Sequence, residues 1–131
     1  MSGFPVAMGK PIVLIVDDNK LARALLRDSL PAGGYEVIEA CDGAEAVDRF
    51  RAARPDVVMI DLMMPEKSGM EALAEIHAID PKSRVVIISA LDADSLRKSA
   101  LESGAVGYVV KPFHPLEIAD AVARALEQPR G

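Results

Sequence analysis

Five polar residues in this chain could do chemistry together: Asp17, Asp18, Asp61, Ser89 and Lys111. Each directly follows a short apolar run. Residues 12–16 precede the two adjacent aspartates, and residues 56–60 precede Asp61. Residues 85–88 precede Ser89, and residues 106–110 precede Lys111. Three carboxylates in one cleft repel one another, and any of them can have a raised pKa. A divalent cation removes that conflict. Oxygen donors without His or Cys suit a hard ion, and Mg2+ fits because it keeps several waters and needs few protein ligands. Such an ion draws in a phosphoryl group and neutralises charge during its transfer. A carboxylate can then attack phosphorus and form an acyl phosphate. Lys111 supplies a fixed positive charge for a phosphoryl oxygen, and Ser89 supplies one hydroxyl. Taken singly, each residue has a plainer reading. An Asp after a strand is usually a turn former or a helix cap. Asp18 or Asn19 could simply cap the first helix, Ser89 could be a turn serine, and Lys111-Pro112 a turn. Together these readings weaken, because each would have to bring its polar group to the same place by chance.

The elements that position these residues alternate strictly. Residues 12–16 form a continuous β-branched run, suited to a strand buried on both faces. A helix follows with Leu21, Leu25 and Leu26 expected on one inward stripe, ended by Pro31, Gly33 and Gly34. Residues 35–39 alternate and read as a more exposed strand. Asp42 caps the next helix, with Glu45 expected to complete a capping box and Ala46, Val47 and Phe50 facing inward. Residues 56–60 are the third strand. Ser68 and Glu71 form a second capping box, opening a helix with Met70, Leu73 and Ile76 on one face. Residues 85–88 are the fourth strand. A weaker helix over 93–103 is expected to turn Leu96, Ala100 and Leu101 inward, and Gly104 stops it. After the fifth strand, Pro115 starts a last helix expected to bury Leu116, Ala119, Val122 and Leu126. Five strands alternating with five helices predict an α/β fold, a parallel sheet covered on both faces. In such folds the strand ends share one edge, where sites form.

Length and charge bound the rest. The 131 residues make one domain, half of it apolar and 27% charged, which implies a folded domain. The net charge of -5 argues against non-specific binding to nucleic acid or to an anionic membrane surface. The single cysteine, Cys41, rules out an intramolecular disulfide and is expected to be small, partly buried and without a redox role. A reducing cytoplasm fits that usage. Residues 1–10 contain Gly3, Pro5 and Gly9 and read as a tail, neither signal peptide nor membrane span. The folded domain is expected over 11–128, with a second short tail at 129–131 and no output domain within this sequence.

The pieces Val16-Asp17-Asp18-Asn19, Asp61-Leu62-Met63-Met64-Pro65 with Gly69, Ile88-Ser89-Ala90 and Gly107-Tyr108-Val109-Val110-Lys111-Pro112-Phe113 stand in a specific order and spacing. Over roughly residues 10–128 the chain resembles response-regulator receiver domains of the CheY-like superfamily. The resemblance implies a doubly wound, flavodoxin-like five-stranded parallel sheet of order 2-1-3-4-5. It implies that Asp61 takes a phosphoryl group from a histidine kinase or phosphotransfer protein, as one step of a two-component phosphorelay. Asp17, Asp18, Asp61 and the backbone carbonyl of Met63 would hold Mg2+, with Asp18 rather than Asp17 the direct ligand. Ser89 and Lys111 would contact the phosphoryl oxygens. Tyr108 would turn inward as Ser89 moves toward the phosphate, and the Lys111-Pro112 peptide would be cis. A downstream protein would read the 93–128 surface, where Arg97 and Lys98 lie, and the chain would be a monomer or a phosphorylation-dependent dimer. No turnover of a separate substrate is expected.

Some positions depart from the commonest pattern. Ser68 replaces an acidic residue often found before Gly69. His114 stands where a better helix cap is common, with Pro115 compensating in part; His77 is expected at a helix face or end. Met63 and Leu91 are apolar where they flank the phosphorylation site. Water must reach phosphorus in line to hydrolyse an acyl phosphate, and these side chains offer no hydrogen bond to orient it. A long-lived phosphoryl group is therefore expected. Three other readings compete. A haloacid-dehalogenase-like phosphatase would carry a second Asp two residues after its nucleophile, whereas Asp17 and Asp18 are adjacent. A flavodoxin-like cofactor binder would need a Ser/Thr-rich phosphate loop after the first strand. A receiver fold acting as a phosphate-independent interaction module is opposed by the complete set of five residues. The domain could equally be part of a longer transcriptional or signalling regulator.

Overall fold

A computed structural model of the protein describes residues 9–128. The tails expected at 1–10 and 129–131 lie outside the described residues, apart from Gly9 and Lys10. The elements follow the order β1 (Ile12–Val16), α1 (Lys20–Asp28), β2 (Glu36–Ala40), α2 (Gly43–Ala53), β3 (Val57–Asp61), α3 (Gly69–Ile79), β4 (Val85–Ser89), α4 (Asp94–Glu102), β5 (Ala105–Val110) and α5 (Pro115–Leu126). The strands form one parallel sheet of order β2-β1-β3-β4-β5. Strand order reverses between β1 and β3, which opens a crevice at their carboxyl ends.

β-branched runs build the three central strands because both faces are covered. Every residue of β3 and β4 is buried. Alternate side chains feed two cores. On one face Leu14, Val16, Val58, Ile60 and Ile87 pack with Phe50 of α2, Leu73 and Ile76 of α3 and Ala100 of α4. On the other, Val13, Ile15, Met59, Val86 and Ile88 pack with Leu26 of α1 and Ile118 and Val122 of α5. Each such aliphatic side chain, once fully buried, contributes about 1.5–3 kcal/mol.

The helix starts are set by side-chain caps. Asn19 accepts from the Ala22 N–H at 3.0 Å and opens α1. Ser68 and Glu71 exchange both bonds of a capping box at α3. Asp42 accepts from the Glu45 N–H, but Glu45 returns its bond to the Cys41 N–H rather than to Asp42. The cap at α2 therefore reaches one residue further back than a capping box. His114 is a better cap than its type suggests. Its Nδ1 accepts from the Leu116 N–H, and Glu117 accepts from the His114 N–H.

Several inward assignments fail. Leu21 and Leu25 are exposed, and only Leu26 of that trio is fully buried. Consecutive helical residues lie about 100° apart, so Leu25 and Leu26 cannot both face the sheet. Leu101 is exposed for the same reason, beside buried Ala100. Leu116, in the first turn of α5, is 71% exposed, and Ile118 fills the core. Ala119 and Leu126 are half-buried. Cys41 is exposed rather than partly buried, because it lies just past the end of β2, the edge strand. Hydrogen bonding and charge from Glu45 push its thiol pKa up, which disfavours a reactive thiolate.

Candidate functional site

Asp17, immediately after β1, is only 1% exposed. Its backbone is tied down on both sides. The Asp17 N–H donates to the Ala40 carbonyl at 3.2 Å, and Arg23 Nη1 donates to the Asp17 carbonyl at 2.7 Å. Arg23 in turn donates through Nε to Glu39 at 2.8 Å. One carboxylate oxygen of Asp17 accepts from the Asn19 N–H at 2.9 Å. The other accepts from Lys111 Nζ at 3.1 Å. Asp18, the next residue, is exposed.

Asp61 ends β3 and is also buried. Its Oδ1 accepts from the Met63 N–H at 3.0 Å, and its Oδ2 accepts from Lys111 Nζ at 3.3 Å. The loop after it folds back tightly on α3. A Cβ on Gly69 would lie 2.4 Å from the Asp61 carbonyl oxygen and 2.7 Å from Leu62 Cα. Only glycine lets the α3 N-terminus approach β3 this closely. Ser89 ends β4 and is fully buried; its Oγ accepts from the Leu91 N–H at 3.0 Å. The Lys111 N–H donates to the Ser89 carbonyl at 2.7 Å, which locks the end of β5 beside β4. The Lys111-Pro112 peptide is cis.

The folding of the sheet thus brings the three carboxylates and Lys111 together from three strand ends. Ligand oxygens of Asp17, Asp18 and Asp61 all lie within 4.8 Å of one another. Burial pushes the Asp61 carboxyl above its ordinary pKa. The Met63 N–H and the Lys111 charge pull it down, the Asp17 charge pushes it up, and the net direction is up. For Lys111, burial pulls the pKa down, but the hydrogen bond to Asp17 and the charges of Asp17 and Asp61 outweigh it. Lys111 therefore stays an ammonium at neutral pH, set between two carboxylates. An all-oxygen donor set with excess negative charge fits a hard divalent cation.

The other singled-out residues sit apart in role. Met63 and Leu91 flank the crevice and are 59% and 44% exposed. Tyr108 on β5 is half-buried, and its hydroxyl donates to the Leu91 carbonyl at 2.7 Å, not to Ser89. His114 is occupied as a cap. His77 stands in the last turn of α3, its Nδ1 buried against Gly104 and without a hydrogen-bond partner among the described residues. Sequence reasoning missed Arg23. A signal for it existed: a basic residue in the first turn of a helix opposes the helix dipole, and here the Asp17 carbonyl and Glu39 compensate it.

Comparison with known proteins agrees with this geometry. The family model for the response regulator receiver domain matches residues 13–123. The chemotaxis protein CheY of Thermotoga maritima is 40% identical over 116 residues, spanning 88% of this chain and 96% of that protein. CheY of Bacillus subtilis is 38% identical over 115 residues, spanning 87% of this chain and 96% of that protein. Among solved structures, CheY in the CheX–CheY–BeF3–Mg complex of Borrelia burgdorferi superposes with a TM-score of 0.87 at 32% identity. The match covers 96% of this chain and 97% of that one. A doubly wound sheet with an acidic crevice at its switch point defines a class of signalling domain, and this chain belongs to the response-regulator receiver family. Receivers of this CheY-like kind work in two-component signalling and are not turnover enzymes.

Proposed function

We propose that Asp61 accepts a phosphoryl group and that the domain thereby switches its affinity for a downstream protein. The observation that carries this reading is Lys111 Nζ, 3.1 Å from Asp17 and 3.3 Å from Asp61 across a crevice shared with Asp18. A buried acid gathered with two others and one fixed cation is a poor structural device, because desolvation outweighs what the pairs return. It is a good device for receiving an anion that brings its own counter-charge.

The donor is a phosphohistidine on a histidine kinase or phosphotransfer protein. An Asp61 carboxylate oxygen attacks phosphorus; the P–N bond breaks and its electron pair stays on the imidazole nitrogen. The product is an acyl phosphate on Asp61. Lys111 pairs with a phosphoryl oxygen, and the Ser89 hydroxyl, still accepting from the Leu91 N–H, donates to another. Asp17, Asp18, Asp61 and the Met63 carbonyl would hold Mg2+, with Asp18 rather than Asp17 the direct ligand and Asp17 oriented by Asn19 and Lys111. When bound, the ion neutralises charge on the transferring group. Asp61 must be ionised to attack, and the Lys111 charge favours that form against the pull of burial.

The stored anion is bound better in one conformation, and the population shifts by no more than that difference. Readout falls on the 93–128 surface, by a downstream protein or by a second copy in a phosphorylation-dependent dimer. The Borrelia relative in its complex with CheX and BeF3 supports such a partner for this chain. Cytoplasmic location follows from the kinase partner. Among the described residues no helix is long and apolar enough to cross a membrane.

Incubation with Mg2+ and acetyl phosphate, read by intact mass, tests the proposal. The expected result is a phosphate-sized gain that needs Mg2+ and is lost in Asp61→Asn. No gain with any donor would favour a phosphate-independent interaction module.

A further inference from the structure

Arg97, at the end of the first turn of α4, has partners that an ordinary surface arginine lacks. Its guanidinium carbon lies 4.8 Å from the centroid of the Tyr108 ring, within cation–π range. Its Nη2 donates to Asp92 at 2.8 Å. The Tyr108 hydroxyl donates to the carbonyl of Leu91, the residue before Asp92. The Leu91 N–H is held by Ser89 Oγ. These contacts close a ring from Ser89 through Leu91 and Tyr108 to Arg97 and back through Asp92. The ring is made wholly by groups of this chain and needs nothing at Asp61.

α4 itself gives the ring little competition. Its N-cap, Ala93, makes no side-chain cap bond. Beside the packing of Leu96 and Ala100 in the core, the contacts of Arg97 and Tyr108 tie the start of α4 to the loop after β4. A plain solvated salt bridge would be worth little, since the Asp92 side chain is 63% exposed and the Arg97 side chain 39%. The stacked ring changes that, because the planar guanidinium meets the tyrosine face while still pairing with a carboxylate.

We propose that Arg97 is a positioning residue. It holds Tyr108 over the Leu91 carbonyl before any phosphoryl group is present, and so biases the domain toward the phosphoryl-binding conformation. The inference rests on the phosphorylation reading for its function, but its structural half stands alone. With Tyr108 already placed, less of the phosphoryl group's interaction is used in moving it, and the apparent affinity for that group is higher.

The chain has two tyrosines and no tryptophan, so in a Tyr35→Phe background Tyr108 is the only strong emitter. Acrylamide quenching of that emission in metal-free protein reports its accessibility. Arg97→Ala in this background is expected to raise the quenching constant about threefold, in line with the loss of a cation–π contact. Arg97→Lys should recover part of the protection, because it keeps the charge but not the planar stack. The apparent affinity for beryllofluoride with Mg2+ should weaken about threefold in Arg97→Ala. Unchanged quenching in Arg97→Ala, at an unchanged melting temperature, overturns the proposal. Absence of beryllofluoride binding to the parent protein overturns the phosphorylation reading instead, and leaves the quenching result to decide on Arg97.

Discussion

Asp61 is the residue on which the electrostatics converge. Burial and the neighbouring Asp17 raise its pKa in the folded chain, against the pull of Lys111 and the Met63 N–H. A carboxyl whose folded pKa lies above its unfolded value is destabilising when ionised. Its contribution is therefore most favourable below the unfolded pKa and is lost as pH rises through the folded one. Asp61→Asn should raise the melting temperature of metal-free protein at pH 7, and the difference should shrink as pH falls through the raised folded pKa and be gone below about 4. A differential melt across that range checks it, and a lower melting temperature for Asp61→Asn would contradict the balance. Met63 and Leu91 are expected to act on the proposed acyl phosphate rather than on the acceptor. Both are exposed at the crevice and neither can orient water. Met63→Asn with Leu91→Glu should shorten the phosphoryl lifetime on the order of tenfold with Mg2+ present. An unchanged decay rate would sink the idea that these side chains set it.

At the scale of elements, α3 must begin hard against the end of β3 for the Asp61 loop to close. Gly69→Ala places a methyl 2.4 Å from a backbone carbonyl that cannot step aside. It should cost about 1–3 kcal/mol in urea unfolding. Ser68→Ala removes half a capping box and should cost about 1 kcal/mol. A Gly69→Ala variant as stable as the parent would deny the tight approach. The alternation of strands and helices was legible because β-branched runs and capping pairs are local signals. The inward stripes of α1 and α5 were only half legible. Leu25 beside Leu26, and Leu116 before Ile118, offer the core more leucine than one face can take; tertiary packing alone selects among them. The caps at His114 and Glu45 were partly hidden because rotamers, not residue types, decide which N–H each one meets.

For the whole molecule, one parallel sheet turns residues 17, 18, 61 and 111 into neighbours. That much of the site could be read in advance, since a parallel sheet sends every carboxyl end to one edge. What could not be read is how the side chains share partners there. Lys111 between two carboxylates, Arg23 on the Asp17 carbonyl and Arg97 on the Tyr108 ring all depend on tertiary placement. The proposed switch, acting through Ser89 and Tyr108, is predicted to leave one half of the domain fixed and the other responsive. Hydrogen exchange with Mg2+ and beryllofluoride should slow mainly across residues 89–111, while β1 and β2 change little; uniform slowing would argue against a localised switch. The central claim, that Asp61 is the acceptor, is tested most directly by trapping the acyl phosphate chemically. Protein treated with acetyl phosphate and Mg2+ is reduced with borohydride, which converts a phosphorylated aspartate to homoserine, and its peptides are then weighed. The account predicts homoserine at position 61 and at no other aspartate. Homoserine at position 17 or 18, or at none, would contradict it.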